Sequence, residues 1–185
     1  MIKDTYLITL IETLESVEFS NKNQSVNADY TDYMQILANA FREIKKKQRR
    51  VFFIGNGGSA AIASHMTADF MKNGEIHTYS LYDNAAITCM GNDYGYENVF
   101  AKQLSFLMEE GDLLVCISSS GNSENIVKAV QVAKEKNACV VTFTGFKMDN
   151  KIRMLGDYNV YVPIEKYGIV ETIHNLILQQ LVDML

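Results

Sequence analysis

Two short stretches carry residue types suited to holding an anion. Residues 51–60, VFFIGNGGSA, form an apolar run that ends in a glycine-rich turn and opens a helix, so bare backbone N–H groups collect at a helix N-terminus. Residues 118–123, SSSGNS, place four hydroxyls and a glycine within six residues, again at a helix start. Such a loop offers side-chain and backbone donors to one tetrahedral anion. Serine and asparagine also serve as helix caps and tolerate left-handed turns, but one cap needs only one serine. The donors are neutral, as suits an acidic chain with 17 Lys and Arg against 22 Asp and Glu. A small phosphate ester is the ligand these corners suggest, provided that they converge.

The segment GNGGSA also fits the dinucleotide fingerprint G-x-G-x-x-A, with Asp83 as the acidic residue beyond the following strand. The hydroxyl-rich loop, placed where a second nucleotide half would lie, weighs against that reading. The Walker pattern G-x-x-x-x-G-K-[ST] is absent, which argues against nucleoside triphosphate hydrolysis.

The elements that must position these corners follow from periodicity. Leu7, Leu10, Ile11, Leu14 and Val17 recur at helical spacing, residues 20–30 read as a polar loop, and Tyr33, Leu37, Ala40, Phe41 and Ile44 mark a second helix. That helix closes in Lys45, Lys46, Lys47, Arg49 and Arg50, a run suited to a helix C-terminus more than to a nucleic-acid patch on an acidic chain. From residue 51 strands and helices alternate, with strands at 51–54, 78–82, 113–117, 139–143 and 158–162. Helices are expected at 59–71, 97–108, 122–136 and 169–185, with a short helical or irregular piece at 85–90. Pro163 ends the last strand without breaking a ladder.

Near-continuous apolar strands in this alternation predict an α/β fold, a three-layer αβα sandwich around a five-stranded parallel sheet. Right-handed crossovers favour strand order 2-1-3-4-5, which sets the two corners side by side at the carboxyl ends of adjacent strands. A chain of 185 residues, 48% hydrophobic, suits one domain: a helical extension over 1–48 and an α/β core over 49–185. No export signal or stretch of about 18 apolar residues is evident, so a soluble cytoplasmic protein is expected, with no membrane partner and no direct nucleic-acid binding. Cys89, Cys116 and Cys139 form no Cys-x-x-Cys pair and read as reduced core residues, and His77 reads as a surface residue.

GNGGSA at 55–60, His65, GNDYGY at 91–96, SSSGNS at 118–123 and ETIH at 171–174 together resemble the sugar isomerase (SIS) domain, and within it the phosphoheptose isomerase family. The similarity runs over nearly the whole chain. It implies a cytoplasmic homotetramer that interconverts sedoheptulose 7-phosphate and a manno-heptose 7-phosphate for polysaccharide biosynthesis, with zinc. It also implies substrate contacts from Asn56, Gly57, Gly58, Ser59, Asn92, Asp93, Ser118, Ser119, Ser120 and Ser123. One relative of such proteins regulates replication initiation through protein contacts, so the resemblance also admits a non-catalytic sugar-phosphate-binding or regulatory adaptor.

An aldose-ketose isomerisation moves a proton between neighbouring carbons through an enediol and needs a positioned base and a group that polarises oxygen. His65 and Asp69 lie four apart on one helix and share a face, and Glu171 and His174 lie three apart on the last. By the resemblance the metal positions fall on His65, Asp69, Glu171 and Gln179, where the family carries histidine, glutamate, glutamine and histidine, so three of the four differ here. Zinc at such a set would act as a Lewis acid on the sugar oxygens. Gln179 cannot supply the family's general acid. Asp69 or Glu171 is the expected base, with His65 or His174 assisting proton movement.

Overall fold

The computed structural model describes residues 4–22 and 29–185. Six strands, β1 (Glu18–Asn21), β2 (Arg50–Gly55), β3 (His77–Ser80), β4 (Leu113–Ser118), β5 (Cys139–Gly145) and β6 (Tyr158–Val162), form one sheet in the order β1-β6-β5-β4-β2-β3. The five parallel strands stand in the order expected from the winding, with β2 and β4 adjacent. The sixth corrects the expectation of five strands and of a loop beginning at residue 20. β1 pairs antiparallel with β6, Phe19 opposite Val160. Its sequence, EFSN, is too short and polar to show alternation. The pairing relies on the open edge of β6 and on Phe19, which is buried and stacked on Tyr33 with ring centroids 4.7 Å apart. Residues 23–28 of the expected loop lie outside the described residues.

Seven helices accompany the sheet: α1 (Thr5–Glu15), α2 (Tyr30–Lys46), α3 (Gly58–Lys72), α4 (Asn84–Tyr94), α5 (Val99–Leu107), α6 (Glu124–Glu135) and α7 (Tyr167–Asp183). The continuous apolar runs of the strands feed two cores by alternation. Val51 and Phe53 of β2 join a cluster with α2, α3 and α7, while Phe52 and Ile54 join another with α5 and α6. Each such fully buried side chain stabilises the fold by roughly 1.5–3 kcal/mol relative to exposure. Helix α2 covers one face of the sheet through Tyr33, Met34, Leu37, Ala38, Phe41 and Ile44. The basic run at its end is ion-paired: Lys45 with Glu75 at 2.9 Å, and Arg50 with the fully buried Asp112 at 2.9 Å.

Residues 85–90 belong to the longer helix α4, which has no buried residue and therefore little apolar periodicity. Cys89 is exposed on it, contrary to the expectation of three core cysteines, whereas Cys116 is buried and Cys139 half-buried. Asp83 caps α4, its carboxylate accepting the Ala86 N–H at 2.9 Å. A capping role of that kind engages the side chain that a dinucleotide ribose would need. The expected helix over 97–108 is a 3₁₀ turn at Tyr96–Asn98 followed by α5. No helix among the described residues is long and apolar enough to cross a membrane.

Candidate active site

The glycine corner is held by side chains from three other elements. Strand β3 stops pairing with β2 at Ser80, opposite Phe53, so the polar backbone of Gly55 lacks a strand on that side. The Tyr82 hydroxyl replaces it, accepting from the Gly55 N–H at 2.6 Å and donating to the Gly55 carbonyl at 2.8 Å. Burial pushes that phenol's pKa up, so it stays protonated and able to do both. Asn56 is paired with Asn125 and accepts from the Tyr96 hydroxyl at 3.0 Å. Gly57 caps α3 at φ +55° and ψ −122°, a conformation that a side chain would strain. The first turn of α3 has no side-chain cap, so its leading N–H groups face outward unsatisfied by the helix itself.

The hydroxyl corner leaves β4 and enters α6. The Ser118 and Ser120 hydroxyl oxygens accept the N–H groups of Gly121 (3.2 Å) and Asn122 (3.3 Å), which leaves each hydroxyl hydrogen free to donate. Ser119 Oγ is buried without a partner, and Ser123, the N-cap residue of α6, makes no side-chain capping bond. A loop that spent its serines on capping would show the opposite pattern. Here their donor capacity is unused, and buried polar groups left unpaired are costly unless a ligand or water engages them.

Both corners open on one cavity of about 260 Å³, lined by Asn56, Gly57, Gly58, Ser59, Ser118, Ser119, Ser120, Ser123, Tyr167 and Glu171. Glu171, from the first turns of α7, is the one carboxylate in that lining. It lies over the start of α3: a Cβ built on Gly58 would collide with its carboxylate. The helix N-terminus stabilises negative charge there. A larger cleft of about 560 Å³ opens at the opposite end of the sheet, but its two lysines, Lys22 and Lys134, are directed at Asp157.

The remaining candidates are placed elsewhere. His65 Nε2 and Asp69 Oδ2 are 3.4 Å apart on α3, outside the cavity lining, with His65 largely exposed. Asn92 and Asp93 are exposed at the end of α4, bonded to each other at 2.8 Å. His174 is fully buried, edge-on to Phe143, and its Nε2–H donates to the Thr144 carbonyl at 3.0 Å, while Nδ1 has no partner. Of the four expected metal positions, His65 and Asp69 are thus paired, and Glu171 stands apart from them at the cavity. Gly58, under the Glu171 carboxylate, precedes His65 by seven residues, roughly 10 Å of helix, and Gln179 lies eight residues beyond Glu171 on α7, roughly 12 Å. Among the described residues no three His, Cys, Asp or Glu side chains form a group that could hold a metal ion.

Burial lowers the His174 pKa from 6.5 to about 4. The folded state therefore keeps it neutral while the unfolded chain takes up a proton, so its contribution is complete above about pH 6.5 and is lost as the pH falls toward 4. The loss amounts to about 3 kcal/mol. Urea unfolding at pH 7.5 and pH 5 is expected to show a smaller acid destabilisation in His174→Asn than in the parent. Equal losses in the two would remove His174 as the cause.

Four residues that frame the site escaped the sequence reading. Asn125, Tyr82 and Tyr96 contact the glycine corner, and Tyr167 lines the cavity. Asn125 was the most accessible, since it lies two residues past the serine loop and is polar on an otherwise apolar helix face. Tyr96 closes the GNDYGY motif, whereas no local pattern distinguishes Tyr82 or Tyr167.

The comparisons with known proteins identify the family. The SIS domain model matches residues 17–145. A phosphoheptose isomerase from Helicobacter hepaticus is 32% identical over 183 residues, covering 95% of this chain and 93% of that protein. Among solved structures, a phosphoheptose isomerase from Francisella tularensis superposes with a TM-score of 0.84 at 28% identity, over 97% of this chain and 94% of that one. One from Neisseria gonorrhoeae gives 0.82 at 29%, over 96% and 93%. On that match, identity and coverage, this chain belongs to the SIS-domain proteins and, among them, to the phosphoheptose isomerase family.

Proposed function

We propose that this protein is a sugar-phosphate isomerase that interconverts sedoheptulose 7-phosphate, or a related ketose phosphate, with an aldose phosphate. One observation carries the reading: two uncapped helix N-termini and a single carboxylate share one cavity. The four serines at the start of α6 hold the phosphate through neutral donors and the helix field. Anchored there, the ester lends binding energy to alignment of the far end of the sugar. At that end the Glu171 carboxylate takes a proton from C1 of the ketose and returns it to C2, while the proton of the C1 hydroxyl passes to the C2 oxygen through the enediol. The first-turn N–H groups of α3 stabilise the oxygen on which charge develops in the enediol. His65, Asp69 and His174 are given no step, and none is routed through zinc, because His65, Asp69 and Glu171 form no common group among the described residues.

We further propose that the chain acts as one SIS domain and as a cytoplasmic homotetramer. Leu7, Ile8 and Ile11 on α1, with Phe106 and Leu107 on α5, expose apolar surface that further copies would cover. Light scattering tests the subunit count.

NMR with sedoheptulose 7-phosphate, with and without added zinc, tests the activity. Retained binding with no turnover would establish the second reading, a non-catalytic sugar-phosphate-binding protein, which the amide at Gln179 favours. Ser120→Ala removes one donor to a charged oxygen and is expected to weaken sugar-phosphate binding about tenfold, read by calorimetry. An unchanged affinity would move the phosphate away from the serine corner.

A further inference from the structure

We infer that Asn125 is a positioning residue whose reciprocal amide pair with Asn56 sets the separation of the two corners. The inference rests on the reading of the cavity as one that a single sugar phosphate spans. Asn125 projects from the first turn of α6 and is 2% exposed. Asn56 sits between Gly55 and Gly57 in the opposite corner. Asn56 Nδ2 donates to Asn125 Oδ1 at 3.0 Å, and Asn125 Nδ2 donates to Asn56 Oδ1 at 2.9 Å. Beyond the β2–β4 ladder, which ends at Gly55 and Ile117, these are the only hydrogen bonds between the corners among the described residues.

The Tyr96 hydroxyl donates to the same Asn56 oxygen, so both acceptor sites of that amide are filled. An amide clamped this way cannot swing to follow a ligand. The pair is also neutral, which suits a tie across a cavity that receives an anion: an ion pair there would bring an attracting or repelling charge with it. A ligand that touches only the serine corner is indifferent to the tie, whereas one that reaches from the serines to Glu171 depends on the gap being right.

Asn125→Leu keeps the shape and removes both bonds. Calorimetry with inorganic phosphate and with sedoheptulose 7-phosphate is expected to show phosphate affinity within twofold of the parent and sugar-phosphate affinity at least tenfold weaker. A merely structural asparagine would move both affinities together or neither, and either result overturns the inference. In a double-mutant cycle, Asn56→Ala combined with Asn125→Leu is expected to be no weaker for the sugar phosphate than the poorer single variant, and additive losses count against the tie. Hydrogen exchange of the unliganded protein is read alongside. Residues 56–59 are expected to exchange at least tenfold faster in Asn125→Leu, or in Asn125→Asp should the leucine variant fail to fold. If the parent binds phosphate but no sugar phosphate, the isomerase reading falls, and exchange alone decides: unchanged rates at 56–59 overturn the tie and faster ones support it.

Discussion

Glu171→Gln is expected to lower turnover of sedoheptulose 7-phosphate by about three orders of magnitude, close to 4 kcal/mol of lost transition-state stabilisation. Glutamine keeps the size and the hydrogen-bonding reach of the side chain but cannot take a proton from carbon. Because the phosphate is held by the serines, binding of inorganic phosphate should stay unchanged. Kinetics by NMR and calorimetry on the same preparation separate the two effects. Asp69→Asn, assayed in parallel, is expected to cost less than tenfold, since Asp69 faces His65 and lies outside the cavity lining. A loss in that variant as large as in Glu171→Gln would transfer the base to Asp69 and defeat the present assignment.

Gly58→Ala is expected to cut turnover about a hundredfold without lowering the melting temperature. An alanine in the first turn of a helix is favoured over glycine by roughly 0.5–1 kcal/mol, and φ at Gly58 is not in the left-handed range. Its Cβ, however, would meet the Glu171 carboxyl carbon at 2.6 Å, so the carboxylate must move aside. Displacement by about an ångström at a reacting group costs on the order of a hundredfold. Stability and activity thus move in opposite directions, a combination that simple unfolding cannot produce. Full activity in Gly58→Ala would show that the carboxylate is not used where it lies.

Neither expectation could be framed from the chain alone, although the parts involved were named there. Glu171 stood out only as one of several carboxylates at helical spacing. Its partner Gly58 lies more than a hundred residues away, and the contact exists because α7 packs beside α3 on the same face of the sheet. His174 shows the converse. Its spacing from Glu171 marked it for chemistry, but three residues along a helix leave an offset of about 60° around the axis, and here Glu171 lines the cavity while His174 is buried edge-on to Phe143. The pairing of His65 with Asp69, four apart, was legible because both belong to one helix face, yet nothing local indicated that the pair lies roughly two to three turns along α3 from the glycine that lines the cavity.

By itself the sequence determined the layered α/β class, the order of the five parallel strands and the convergence of a glycine corner with a hydroxyl corner. All three rest on short-range properties: alternation of apolar residues, turn chemistry, and the fixed hand of crossover connections. Tertiary structure alone decided the antiparallel edge strand β1, the seating of Glu171 over α3, the Tyr82 and Asn125 supports of the glycine corner, and the separation of Glu171 from the His65–Asp69 pair. These depend on how far helices slide and rotate against the sheet and on which edges are left open. Such distances are set by the packing of side chains remote in sequence, and no local pattern encodes them.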